Sequence, residues 1–240
     1  AKLTLYALDL SPSSRAVLVY LHALGLSDRV RAVSVSSIQA LPPAVHKGCA
    51  KLPLLTASDG FEVWDAHAIV TYITEVYKPR APGAGALSVP ANAAEAAQVT
   101  QFLAYRQATL WPAVRDHVFG QLFPASPVCP VSRGPALTEY LDSAERRLAM
   151  ELNRLDTVFL DDAAFLCGDR MTFADISCAC ALSLLDWVSS PAISHYPVVS
   201  AWLASVRALP KYAEVSKAHA QFASTPNDVQ QGHFALALIE

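Results

Sequence analysis

Leu8-Asp9-Leu10-Ser11-Pro12-Ser13-Ser14-Arg15-Ala16-Val17 is the stretch on which the fold turns. Before it, Lys2 to Leu8 alternates in character and is rich in β-formers, which predicts a first strand. Within it, Ser11 and Pro12 read as an N-cap and first-turn pair. A helix is therefore expected from about Ser13 to Gly25, with Gly25 at its C-cap. Val30 to Val35 predicts a second strand. Strand, helix and strand in that order make a βαβ unit, whose two strands must run parallel.

Further along, Leu41 to Lys47 reads as a short helix opened by Pro42 and Pro43. Leu52 to Thr56 and Phe61 to Trp64 form a hairpin around Ser58-Asp59-Gly60, a strong turn signal. Ala66 to Tyr77 is the next helix. The order β-α-β-α-β-β-α predicts an α+β domain over residues 1–78. Pro79, Pro82, Gly83, Gly85 and Pro90 then break the pattern, which reads as a linker at 79–91. No strand pattern returns after it. Asn92 to Phe119, Leu137 to Phe159, Phe173 to Val188, Val198 to Leu209 and Lys211 to Phe222 carry helical spacing, so 92–223 is expected to be all-helical. Pro124 to Pro135 reads as a loop and 224–240 as a tail.

With 240 residues, 53% hydrophobic and 16% charged, the chain buries a sizeable core and is not disordered. A net charge of -3 with scattered Lys and Arg excludes the basic footprint of a nucleic-acid binder. The longest apolar stretches, Ala16 to Leu26 and Ile176 to Val188, contain His22 and Asp186 and are shorter than a bilayer span, so no membrane partner is expected. No charged segment followed by an apolar one opens the sequence, which predicts no secretory signal and a cytoplasmic location. Cys49, Cys129, Cys167, Cys178 and Cys180 are odd in number and lack C-x-x-C spacing, so a disulfide framework is not expected. The histidines have no metal-site spacing, and no metal is expected.

Three landmarks together resemble the cytosolic glutathione transferases, most closely the insect delta and epsilon classes. They are Leu10-Ser11-Pro12-Ser13-Ser14-Arg15, then Leu52-Pro53-Leu54-Leu55 with Gly60-Phe61-Glu62-Val63-Trp64-Asp65-Ala66-His67-Ala68-Ile69, and Phe165 to Ile176. The match covers roughly Lys2 to Phe222. It implies the glutathione transferase fold, a thioredoxin-like N-terminal domain followed by an all-α domain, usually as a homodimer. It also implies glutathione as co-substrate and no metal.

The resemblance assigns Ser11 the catalytic role, a hydroxyl that donates to the sulfur of glutathione. Physically, this is a helix N-terminus, which favours anions, and a hydrogen bond to a thiolate lowers the thiol's pKa. Ser11 as a plain N-cap is the alternative reading, and Ser13 and Ser14 are competing hydroxyls inside the first turn. Pro53 corresponds to the family's cis-proline, with the backbone of Leu52 pairing with the cysteinyl part of glutathione. Asp65, Ala66 and His67 open the helix where the family binds the γ-glutamyl end; Asp65 reads equally as an N-cap. Thr172-Phe173-Ala174-Asp175 is a capping box with a folding role.

Two positions depart from the family pattern. Ala50 falls where delta and epsilon enzymes carry the histidine of Asn-Pro-Gln-His, and Ala66 where they carry a serine. Each missing contact to a charged group is worth about 1.5–3 kcal/mol. For the hydrophobic substrate the family uses the face between the first helix and the long second-domain helices. The candidates here are Leu8, Leu10, Leu103, Tyr105, Arg106, Leu110, Trp111, Phe119 and Phe123. An arginine turned inward at 106 favours an acidic ligand; a solvent-facing one is the plain alternative. Two functions follow: a transferase joining glutathione to hydrophobic electrophiles, or a carrier of hydrophobic molecules on the same fold with an eroded glutathione site.

Overall fold

The computed structural model describes residues 2–42, 45, 51–78, 87–124, 129, 131 and 134–225. The first half holds β1 (Leu3–Ala7), α1 (Pro12–Ala23), β2 (Val30–Ser34), β3 (Leu54–Ala57), β4 (Glu62–Trp64) and α2 (Ala66–Tyr77). The described strands form one mixed sheet in the order β2-β1-β3-β4, with β1 parallel to β2 and antiparallel to β3. Register pairs Leu5 with Leu55 and Leu55 with Val63, so one face carries a continuous apolar row into the core. β1 runs beside its parallel neighbour and delivers the chain from its carboxyl end straight into α1. That is where open α/β sheets bind ligands.

The second half is helical throughout the described residues: α3 (Ala93–Tyr105), α4 (Trp111–Leu122), α5 (Pro135–Arg154), α6 (Phe173–Leu182), α7 (Pro197–Arg207), α8 (Tyr212–Val215) and α9 (Lys217–Ala223). α6 is buried on every side, as its mostly apolar composition requires, with Asp175 and Ser177 its buried polar residues. It packs against α1, where Tyr20 and Phe173 meet edge to face at 5.2 Å.

Residues 43, 44 and 46–50 lie outside the described set, and with them most of the short helix expected at Leu41–Lys47. Ahead of it a 3₁₀ turn spans Ile38–Ala40, and Leu41 is extended (ψ 145°) because a residue before proline avoids helical geometry. Three details differ from expectation. β3 begins at Leu54, after Pro53, which has no N–H for the ladder. The helix expected at Asn92–Phe119 is interrupted by a π turn at Arg106–Leu110. There the Trp111 N–H reaches the Arg106 carbonyl just ahead of Pro112, which cannot continue a regular ladder. The helix expected at Lys211–Phe222 divides into α8 and α9 at Ser216. Most of the expected linker and nearly all of the tail lie outside the described residues.

The capping box at α6 exceeds its local role. The Asp175 carboxylate, fully buried, accepts from the N–H of Leu166 (2.8 Å), the N–H and hydroxyl of Thr172 (2.7 and 3.0 Å) and Nε1 of Trp202 (2.9 Å). Burial pushes its carboxyl above the ordinary range, and these donors pull it back. Asp175→Ala strands buried donors on three segments, so urea unfolding should show a loss of about 3–5 kcal/mol.

His219 on α9 is buried and accepts from Nε1 of Trp187 through Nδ1 at 2.9 Å, which requires the neutral ring. Burial holds its pKa below the ordinary histidine range, against the pull of Asp186, whose carboxylate lies 3.7 Å from Nε2. The unfolded chain therefore binds the proton more readily, and stability falls as pH drops below about 6.5. Unfolding midpoints measured from pH 7 to 5 should decline, with a shallower slope in His219→Gln.

Candidate functional site

Two helix N-termini converge on one cavity of about 220 Å³. One is the start of α1, represented by Ser13; the other is the start of α2, with Asp65, Ala66 and His67. Leu103, Arg106 and Gln107 from the α3 side and Phe173 and Ser177 from α6 complete the walls. The first N–H groups of a helix lack intrahelical partners and carry the positive end of the dipole, so this arrangement suits an anion at either end. A larger cavity of about 540 Å³ between α2 and α3 shares His67, Thr100 and Phe173 with it.

The start of α1 holds three serines with separate partners. Ser11 caps the helix, its oxygen accepting from the Ser14 N–H at 3.2 Å, and it is 0% exposed. Ser14, also buried, accepts from the Leu8 N–H at 3.1 Å and ties the helix back to the end of β1. Ser13 is half-buried and accepts from Nη2 of Arg106 at 3.2 Å.

Arg106 itself is 7% exposed. It also donates to Oε1 of Gln107 at 3.0 Å and stacks its guanidinium over Trp111 at 5.4 Å. It is turned inward, so the solvent-facing reading does not hold.

At α2, Asp65 caps the helix, with Oδ1 accepting from the N–H of His67 (2.9 Å) and Ala68 (3.3 Å). Its φ of 80° with ψ 129° lies outside the left-handed helical region and is a conformation that residues with a Cβ rarely adopt. The strain is held next to the cavity, and Oδ2 has no hydrogen-bond partner among the described residues. The Leu52-Pro53 bond is cis, as the resemblance implies, and both residues are buried. Ala50 lies outside the described residues.

The hydrophobic list divides. Leu103 and Arg106 line the 220 Å³ cavity. Leu8, Leu110 and Phe119 belong to the core, Phe119 holding its ring edge to face with Trp111 and Phe123. Leu10 packs on the core's edge. Tyr105 turns to α5, where its hydroxyl donates to Oε2 of Glu151 at 2.8 Å and its ring meets Phe159. Burial and Glu151 push its phenol far above the ordinary range, so it stays neutral. Residue 103 lies one turn before both 106 and 107, so these line one side of the cavity, whereas 105, two residues from 103, lies off that face. Ser13, Gln107 and Ser177 are wall residues that sequence periodicity does not reveal.

Residues 107–210 match the family description "Glutathione S-transferase, C-terminal domain". Over 206 residues the chain is 29% identical to glutathione S-transferase 1 of Manduca sexta, covering 84% of this chain and 86% of that one. It is 28% identical over 203 residues to glutathione S-transferase D7 of Drosophila melanogaster, covering 84% and 82%. Among solved structures, a human theta-class glutathione transferase in complex with the glutathione conjugate of 1-menaphthyl sulfate superposes with a TM-score of 0.77 at 20% identity, over 99% of this chain and 93% of that one. Residues 107–210 thus carry the C-terminal domain of the glutathione S-transferases, and the chain as a whole is similar to that superfamily. Within that superfamily its sequence is similar to insect members. No helix among the described residues is long and apolar enough to cross a membrane.

Asp65 gives a direct test of strain at the site. Asp65→Gly suits the positive φ but removes the carboxylate, so its stability should stay within a few tenths of a kcal/mol of wild type or rise. Asp65→Ala keeps the strain and loses the cap, a loss of about 1 kcal/mol. Denaturant unfolding of both variants distinguishes these effects.

Proposed function

We propose that the protein is a glutathione transferase that joins the thiolate of glutathione to hydrophobic electrophiles. The observation that carries this is the meeting of the α1 and α2 N-termini on one cavity beside the apolar helical half. In this reading the backbone of Leu52, beside Pro53, pairs with the cysteinyl unit. The free Oδ2 of Asp65 accepts from the γ-glutamyl ammonium, and the Ala66 N–H meets the γ-glutamyl carboxylate, with His67 alongside. Ser11 at the head of α1 stabilises the sulfur anion. The thiol proton leaves to solvent, sulfur attacks the electrophilic carbon, and the leaving group departs with the electron pair. Arg106 in the wall favours electrophiles that carry an acidic group.

We take residues 1–78 as the glutathione-site domain, 79–91 as linker, 92–223 as the substrate domain and 224–240 as tail. The protein acts as a cytoplasmic homodimer in detoxification. The exposed Phe61, Trp64 and Val76 on the hairpin and α2 support pairing of two copies.

A second reading, a carrier of hydrophobic molecules without turnover, is favoured by the missing hydroxyl at Ala66 and by the complete burial of Ser11.

Calorimetric titration with reduced glutathione separates the two. The transferase reading expects micromolar affinity, and turnover of an apolar electrophile that Ser11→Ala reduces strongly. Ala66→Ser should tighten binding about 10- to 100-fold by restoring one charge-assisted contact. Absence of heat at millimolar glutathione, with the protein folded, leaves the carrier.

A further inference from the structure

Ser13 is the first-turn hydroxyl of α1 that stands at the cavity. Ser11 and Ser14 are fully buried, whereas Ser13 is part of the wall and faces the side on which Asp65, Ala66 and His67 begin α2. Its oxygen accepts from Nη2 of Arg106. A guanidinium has no acceptor, so that bond runs in one direction only, and the Ser13 proton must point elsewhere. Among the described residues none accepts it. A hydroxyl whose oxygen is held by a cation is also a stronger donor, because linked hydrogen bonds polarise one another.

We infer that Ser13, oriented by Arg106, is a second catalytic hydroxyl, donating a hydrogen bond across the cavity to the thiolate of bound glutathione. This rests on the transferase reading given above. The Ser13 O–H bond stays intact throughout: the thiol proton goes to solvent, and Ser13 stabilises the sulfur anion that remains. Arg106 acts through Ser13, fixing its rotamer and polarising it, and is a positioning residue. The two come from opposite halves of the chain, 93 residues apart. The site is therefore complete only when α1 and the α3–α4 rod are docked.

The test uses the full chain saturated with reduced glutathione, following thiolate ultraviolet absorbance against pH. Ser13→Ala should raise the midpoint of ionisation by about one to two pH units, and Ser13→Thr, which keeps the hydroxyl, should restore most of the shift. Arg106→Met should move the midpoint the same way in the wild-type background. It should add little in Ser13→Ala, because its effect passes through that hydroxyl. Thermal unfolding confirms that each variant is folded. An unchanged midpoint in Ser13→Ala, with glutathione still bound, overturns the assignment and leaves the transferase reading standing. If wild-type protein takes up no glutathione by calorimetry, both fall together.

Discussion

The guanidinium of Arg15 lies one helical turn beyond Ser11 and is shut off from water. It donates to the Cys180 carbonyl at 3.1 Å, the Ser183 hydroxyl at 2.6 Å and the Ser216 hydroxyl at 3.4 Å, while Nε makes no bond. Burying a cation on neutral partners is expensive. The chain accepts that cost at the seam between α1 and the end of α6, the seam that sets the α1 N-terminus against the helical half. Ser13 and Arg106 reach each other across it. Without a fixed α1, the cavity walls from α1, α2 and α3 would not share a frame.

Much of the first half is legible because its signals are local. α1 opens on Ser11 and Pro12 and closes on Gly25 at φ 67°, where the Gly25 N–H reaches the His22 carbonyl and the Leu26 N–H the Leu21 carbonyl. Asp65 as a cap is equally local. Its positive φ is not, because only the turn out of β4 imposes it. The cavity wall is the least legible part, since the π turn at Arg106–Leu110 slips the helical face by one residue. Apolar residues counted at regular spacing along this rod then include core residues such as Leu110 and Phe119. Tyr105 could not be excluded from the wall without knowing that Glu151, on another helix, receives its hydroxyl. The cis bond before Pro53 was readable through family resemblance alone, because a single X–Pro pair favours trans.

Three serines in one helical turn take three different local partners. A cap needs a hydroxyl oxygen aimed at its own helix, and Ser11 supplies it. Anchoring the helix to the strand needs a buried acceptor for the Leu8 N–H, and Ser14 is that group. A group on the cavity wall must be reachable, and Ser13 is the member of the set whose oxygen is engaged from the cavity side by Arg106. Proline, a residue suited to helix starts, occupies position 12 and leaves the neighbouring side chains free for these roles.

In the proposed transferase reading, recognition is carried mainly by main chain. The N–H groups that Ser11 and Asp65 leave uncapped at two helix starts, and the backbone beside Pro53, stay in place whatever side chains surround them. Each dipole end contributes about 0.3–1 kcal/mol toward an anion. A lost side-chain contact to a charged group costs about 1.5–3 kcal/mol, so on that reading alanine at position 66 weakens affinity without moving the ligand. Side-chain identity can therefore drift to the 29% level shared with the moth relative while the cavity keeps its frame. On the proposed reading, what drift changes first is how firmly the thiolate is stabilised, which depends on the few hydroxyls at the head of α1 and on Arg106 beside them.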